Sequence, residues 1–437
     1  MLKTVNLTGF GKKYQGKVRD YYFYNGKRII VTSDRISAFD RILGEIQYKG
    51  QVLNQLAAFW FNKTSDIIPN HVISIPDPNV TIAKNCTAYP IEMVIRGYIS
   101  GSTITSLWYN YDQGKRTIYG LKFPDGLKKN QILPQPVITP TTRGISPGNH
   151  DEKISKAEII KRKIIPKKIY EEMEEKAFAL FEKATEVCAK AGLILVDTKI
   201  EFGDNNGELT VIDEIFTPDS SRFWIKDSYQ KLFEKGKEPE NFDKEFFRLW
   251  FTEKGYRGDG KAPTMPQSFR SKVSKRYTTL YEMITNKKFE PEKGNIELRI
   301  KKNLKHLTDR VIIIAGSTSD KAFVEKLEKP LKEKKIEYSI YYASAHKNPL
   351  EILRIIDIYK RIDRKVIAVT VAGRSNALSG FVAANSDFVV IACPPFKDKN
   401  DYLVNIHSTL QMPSNVPVMT VIDPGNAVLA VERILNK

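Results

Sequence analysis

Apolar and polar positions alternate through much of the first 60 residues. In "KVRDYYFYNGKRIIVTSDRIS" the alternation is broken at Asn25-Gly26, a pair suited to a tight hairpin turn. This pattern predicts antiparallel strands. After a mixed stretch, a helical period begins at about Lys167 and runs through "YEEMEEKAFALFEKATEVCAKAG", with Gly192 as its natural stop. The greasy strand "LILV" (193–196) follows. Residues 228–305 are charged and read as mainly helical, around a Gly/Pro-rich insert, "GYRGDGKAPTMP". Near Asp309 the pattern changes. "RVIIIAG", "YSIYYASAH", "VIAVTVAG", "FVVIACPP" and "VPVMTVID" are short, mostly apolar runs with helical segments between most of them. Strands buried on both faces of a parallel sheet read this way. The expectation is an α+β domain over 1–305 and an α/β domain with a parallel sheet over 309–437.

Beyond "LILV", Asp197, Lys199 and Glu201 fall at every second position, so a strand sends all three to one face. Asn205-Asn206-Gly207 marks the hairpin turn that follows. An odd loop puts Asp213 on the face of Glu201, and an even loop turns it away. Two carboxylates on a rigid hairpin suit Mg²⁺, which takes oxygen ligands and bridges to phosphates, and a lysine beside them suits a phosphoryl oxygen. The plainer reading is a salt-bridged, partly exposed strand face. Other fragments carry similar chemistry. "GKVRD" (16–20) sets Lys17 and Arg19 at alternate positions after a Gly turn. "VIRGYISGS" offers Arg96 and Ser102, "TPDSSR" ends in Arg222, and "GNHDEKIS" is an acidic loop with one histidine. Each alone is equally a loop or a helix cap.

In the second domain the first four strands end in "GSTSD" (316–320), "SAHK" (344–347), "AGRSN" (372–376) and "CPPF" (393–396). Open parallel sheets bind ligands at the carboxyl ends of their strands, where these turns would converge. "GSTSD" opens a helix and suits a phosphate. His346 beside Lys347 is a proton-carrier candidate. Taken singly, such a turn is a cap and such a histidine is solvated.

Composition changes the picture little. The chain is 41% hydrophobic and 27% charged, as in globular proteins. No apolar run approaches the roughly 18 residues of a membrane span, and "MLKTVNLTGFGKK" lacks a signal-peptide core, so a cytosolic protein with no membrane partner is expected. Cys86, Cys188 and Cys393 are scattered and odd in number, which argues against a disulfide framework or a CxxC metal site. The net charge of +18 admits nucleic acid as a partner. The lysines are spread without a basic block, which favours a basic surface and anionic small substrates.

The second domain's turns, with "LQMPSNVPV" (410–418), resemble the aminoimidazole ribonucleotide (AIR) carboxylase family of purine synthesis over essentially all of 310–437. The resemblance implies a three-layer, flavodoxin-like fold. It implies that Ser317, Ser319 and Lys347 take the phosphate, Asp320 the ribose and His346 the proton transfer. Ser344, Gly373, Arg374 and Ser375 would complete the AIR and CO₂ site. The branch that rearranges a carbamate carries a second histidine where this chain has Ala377. "SAHK" and "AGRSN" match the branch that uses CO₂ directly, with the carbamate mutase as the alternative. Assembly as a homo-oligomer, an octamer in that family, is implied as well.

The first domain resembles the SAICAR synthetase family over about residues 10–300. The match rests on "GKVRD", "TSDRISAFD" (32–40), "EMVIRGYISGS", "HDEKIS" and "LVDTKIEFG…IDEIFTPDSSRFW". The family joins L-aspartate to carboxyaminoimidazole ribonucleotide (CAIR) with ATP, on a fold shared in outline with protein kinases and ATP-grasp enzymes. The resemblance implies Lys17 and Arg19 over ATP phosphates, Glu92 near the adenine, and Glu201 and Asp213 on Mg²⁺. Arg96, Ser102 and Arg222 would grip CAIR, with Asp197 and Lys199 in the same cleft and Asp151 facing the aspartate. Arg143, in "PTTRG", stands where the family has a lysine. The cofactors implied are ATP and Mg²⁺, with no biotin and no flavin, and every substrate is a small molecule rather than a nucleic acid.

Overall fold

The computed structural model describes residues 1–143, 152–242, 244–360 and 365–436. The chain divides into two compact units, Met1–Ile300 and Lys301–Lys437, and the division falls inside the helix Ile296–Leu304.

The first unit is α+β. Its first sheet orders the strands Lys13–Gln15, Arg19–Tyr24, Lys27–Thr32, Val80–Lys84 and Val72–Asp77. The hairpin at its centre turns through Asn25 and Gly26, both at positive φ, with Tyr24 paired to Lys27. A second sheet is built on two 13-residue strands, Thr87–Ile99 and Leu193–Asn205, flanked by Gln131–Ile138 and Glu208–Ile212. The strand Ser221–Ile225 also pairs with Leu193–Asn205. The long helix Lys167–Lys190 packs its apolar stripe on this second sheet, and Gly192 (φ 74°) ends it.

The alternating pattern of the first 60 residues yields strands only as far as Arg41–Glu45. Lys49–Lys63 is instead a helix. Val52, Leu53, Leu56, Ala57, Trp60 and Phe61 repeat at helical spacing, and all are buried. At its start the Asp34 carboxylate accepts the Gly50 N–H at 2.9 Å, which satisfies one of the amides left open at a helix N-terminus. Downstream, Lys226–Glu234, Glu245–Glu253, Gln267–Thr285 and Ile296–Leu304 are helical as expected.

The second unit is a five-stranded parallel sheet. In chain order its strands are Val311–Ala315, Tyr338–Tyr342, Ile367–Val371, Val389–Ala392 and Met419–Thr420. Their order across the sheet is 2-1-3-4-5, the flavodoxin-like arrangement. Separate buried clusters cover the two faces. One gathers Ile313, Val324 and Val428, and the other Ile312, Ile355 and Val382. This three-layer packing explains why the strands read as unbroken apolar runs.

Candidate active sites

The charged row of the second sheet faces a matching row on its neighbour. The strands are antiparallel, with Asp197 opposite Arg96, Lys199 opposite Val94 and Glu201 opposite Glu92. Paired residues share a face, so the floor is made of two acids and a base from one strand and an acid and a base from the other. Lys199 Nζ donates to Glu92 Oε1 and to Glu201 Oε1, each at 2.6 Å. Thr141 Oγ1 donates to the other Glu92 oxygen at 3.0 Å. Burial pulls the Lys199 ammonium down, but Glu201, Glu92 and Asp213 outweigh it and hold its pKa well above the ordinary lysine value. Glu201 is pushed up by burial and by Asp213, against Lys199 and Arg143.

The hairpin turn is Asn206-Gly207, with Asn205 paired to Glu208, so the loop is even. The register sets Ile212 opposite Glu201, and continued alternation would have turned Asp213 to the other face. The strand ends at Ile212, however, and Asp213 adopts a left-handed backbone (φ 66°). Its carboxylate lies 2.6 Å from Arg19 Nη1 and is electrostatically coupled to Glu201, Lys199 and Arg143. Burial would raise Asp213, but Arg19, Lys199 and Arg143 together hold it below the usual carboxylate range. This local twist of the backbone takes Asp213 out of the strand alternation and turns its carboxylate to Arg19.

Arg19 is buried and bridges Asp213 and Glu214, tying the first sheet to the end of this hairpin. Lys17 is exposed and pairs with Asp40. The loop that carries Lys17 is held from beneath by Arg35, whose guanidinium donates to the carbonyls of Lys17 (3.0 Å) and Gly16 (3.1 Å) and to Asp20 Oδ1 (2.8 Å). Asp40 sits on a two-residue turn between Arg35–Ala38 and Arg41–Glu45, where Phe39 (φ 49°) and Asp40 (φ 64°) are both left-handed. Arg143, in place of the family's lysine, forms an ion pair with Glu201 Oε2.

Arg96 and Arg222 converge on one oxygen of Asp197, at 3.1 and 2.7 Å. Both line a cavity of about 370 Å³ with Lys17, Glu92 and Lys199. Ser102 does not line it. Its hydroxyl donates to Glu245 at 3.3 Å, in a small neighbouring cleft that Arg222 also reaches. Asp151 lies outside the described residues. The sequence reading missed Lys49, Asp219, Lys244 and Arg248. Asp219, Lys244 and Arg248 line the cavity, and Lys49, fully buried, donates to Asp219 Oδ2 at 2.8 Å. Burial would raise Asp219, but Lys244 and Lys49 hold it well below its ordinary value. Burial lowers Lys244 to about 8, with Asp219 opposing and Lys49 and Arg248 adding to the fall.

In the second unit a cavity of about 1220 Å³ opens at the carboxyl ends of the strands, lined by Ser317, Ser319, Asp320, His346, Arg374 and Ser375. Ser344 and Gly373 also line it, whereas Lys347 is exposed and does not. Ser317 caps the turn into Lys321–Glu333: its hydroxyl accepts the Ser319 N–H (3.2 Å), and Asp320 accepts the Ser317 N–H (3.2 Å). Burial raises Asp320. The "AGRSN" turn hangs on the helix Lys399–Leu410. Asn405, 2% exposed, accepts the Arg374 N–H and donates to the Pro395 carbonyl at 2.6 Å. A Cβ on Gly373 would stand 2.9 Å from the Asn405 amide nitrogen, so only glycine fits there without displacing it.

Comparison with known proteins identifies the family of each unit. The SAICAR synthetase family model matches residues 12–264, and the AIR carboxylase model matches 310–437. The chain is 50% identical over 302 residues to the phosphoribosylaminoimidazole-succinocarboxamide synthase of Legionella pneumophila (strain Lens), covering 68% of this chain and 96% of that one. It is 46% identical over 301 residues to the chloroplastic synthase of Arabidopsis thaliana, covering 68% and 72%. The solved SAICAR synthase of Saccharomyces cerevisiae, complexed with SAICAR, is similar with a TM-score of 0.58 and 31% identity, over 67% of this chain and 100% of that one. Fold, clefts and matches define a two-domain enzyme of purine biosynthesis. The chain belongs to the SAICAR synthetase family and carries an AIR carboxylase-family domain fused after the synthetase domain.

Proposed function

We propose that the first unit joins L-aspartate to CAIR at the expense of ATP, and that the second makes CAIR from AIR and CO₂. The observation that carries the first half is the floor of the cleft, where Lys199 is held between Glu92 and Glu201 beside Arg96, Arg222 and Asp197. In this reading a carboxylate oxygen of CAIR bonds to the γ-phosphorus of ATP, and the bond to the β-phosphate oxygen breaks to release ADP. The aspartate amine then bonds to the acyl carbon, phosphate departs, and the nitrogen loses a proton. Lys17, Arg96, Arg222 and Lys199 orient the anions and offset their charge.

Glu201 and Asp213 fit a magnesium ion shared with phosphates. Among the described residues Glu201 Oε2 is buried and makes no hydrogen bond, with the Arg143 ion pair against it, and one or two protein carboxylates suffice for such an ion. No group of three or more potential ligands gathers among the described residues, so a full protein cage is not part of this reading. When bound, the ion would neutralise phosphate charge.

For the second unit, Ala377 opens the helix Ala377–Ala384 where the carbamate-rearranging branch has its second histidine, which supports direct carboxylation. His346 would carry the proton, and Arg374 and Ser375 would lie by the carboxylate. Exposed apolar residues on its helices, Leu350, Leu403, Val404 and Leu410, support assembly of copies through this unit. The test is CAIR formation from AIR and bicarbonate without ATP or aspartate, followed by mass spectrometry. CAIR is the expected product, and adding Mg-ATP and aspartate should yield SAICAR. Turnover of the carbamate isomer alone would instead make the domain a mutase.

A further inference from the structure

The cavity of the first unit is lined by the cations Lys17, Arg96, Lys199, Arg222, Lys244 and Arg248 and by the acids Asp40, Glu92, Asp197 and Asp219. Arg96 and Arg222 are anchored on Asp197, and Lys199 lies between Glu92 and Glu201. Lys244 is different. It lines the same cavity with its side chain only 13% exposed, and the carboxylate paired with it, Asp219, is already engaged. Asp219 Oδ2 takes Lys49 at 2.8 Å, and Oδ1 takes the Tyr277 hydroxyl at 2.7 Å. Lys244 Nζ stands 3.6 Å from that shared oxygen and 3.4 Å from the Ser37 hydroxyl. A nearly buried ammonium so weakly compensated is costly, and a carboxylate delivered by a ligand would complete it.

We infer that Lys244, with Ser37 and Arg248 beside it, receives a carboxylate of the dicarboxylic amino-acid substrate and sets the preference for that class of amine. The inference rests on the ligase reading above. Two of the three substrates are nucleotides whose anionic groups fall to the Lys17 loop and to the Arg96–Arg222 pair. The third is a small amino acid with two carboxylates, which calls for a cation of its own. Asp219 is then a positioning residue. Clamped by Lys49 and Tyr277, it fixes the 217–222 turn and holds Lys244 against the cavity without saturating it.

The test compares the full chain with Lys244→Gln and Lys244→Arg, varying L-aspartate, CAIR and ATP in turn. A charge-assisted hydrogen bond of this kind corresponds to about a ten- to hundredfold rise in KM for aspartate in Lys244→Gln. KM for ATP and CAIR should stay within twofold, and Lys244→Arg should recover most of the loss. Acyl phosphate trapped with hydroxylamine in the absence of aspartate should form as in the unsubstituted chain. An unchanged KM for aspartate would overturn the inference. So would an equal loss of acyl-phosphate trapping, which would show Lys244 acting on the whole site through the 217–222 turn. Failure of the ligase reading looks different, since the unsubstituted chain would then make no SAICAR.

Discussion

Glu92 and Glu201 stand directly opposite each other on adjacent strands, and one ammonium, Lys199 Nζ, lies 2.6 Å from an oxygen of each. Like charges in that position repel, and both are buried. The site is therefore assembled around Lys199. Lys199→Met is expected to cost about 3 kcal/mol of stability, the range for removing one partner of a buried ion pair. Urea denaturation of Lys199→Met beside Glu92→Gln/Lys199→Met checks it, because neutralising one acid should restore part of the loss.

The two chemistries should separate cleanly by mutation. Glu201→Gln removes one of the two carboxylates offered to the metal and should lower SAICAR formation at least a hundredfold while leaving AIR carboxylation intact. His346→Asn should do the reverse. Assaying both reactions on both variants checks this, and loss of both activities in either variant would contradict it.

Lys244 sets a pH dependence. Burial lowers its pKa from the usual 10.5 to about 8, and the charged groups that face it are Asp219, Lys49, Arg248 and Glu214. The cationic form binds a carboxylate, so KM for aspartate should rise as pH passes upward through about 8 and be flat below it. For stability the direction is opposite. Between about pH 8 and 10.5 the unfolded chain holds a proton on Lys244 that the folded chain has lost, so this residue's contribution to stability grows as pH rises through that window. Lys244→Arg should remove the KM trend, as initial rates from pH 7 to 9 will show.

Asn405 touches both the "AGRSN" turn and the carbonyl of Pro395. Asn405→Ala frees the Arg374 amide and takes the donor from the half-buried Pro395 carbonyl, at a cost of about 1–3 kcal/mol. The carboxylation rate should fall about tenfold or more, with SAICAR synthesis from added CAIR unaffected. Asn405→Asp keeps the acceptor for Arg374 but loses the donor to Pro395, so it should retain more activity than Asn405→Ala.

Much of this was legible in the sequence, for physical reasons that differ by region. The second unit's strands are buried on both faces and their turns are short, so pattern alone located all five strands and the cleft. In the first unit, strict alternation exposed the row Asp197, Lys199, Glu201. Asp213 was not legible in the same way. Alternation with an even turn points it away from Glu201, and a left-handed backbone at a non-glycine residue then takes it out of that alternation toward Arg19. Lys49, Asp219 and Lys244 lie on three distant segments with no periodic signal, and only tertiary packing joins them. The helix Lys49–Lys63 was legible, since Val52, Leu53, Leu56, Ala57, Trp60 and Phe61 recur at helical spacing, but the alternation of the strands before it was extended across it.

The turn at Phe39–Asp40 carries a further consequence. Left-handed backbone costs roughly 1–2 kcal/mol at each non-glycine residue, and an Asn-Gly pair would relieve it. The turn keeps its less comfortable residues where Asp40 meets Lys17 and where the Phe39 ring packs on Tyr256, with centroids 5.9 Å apart. A laboratory selection for heat resistance alone would therefore drift toward Phe39→Asn and Asp40→Gly. The survivors would be hardier proteins that had given up both the Asp40 partner of Lys17 and the packing of Phe39 on Tyr256.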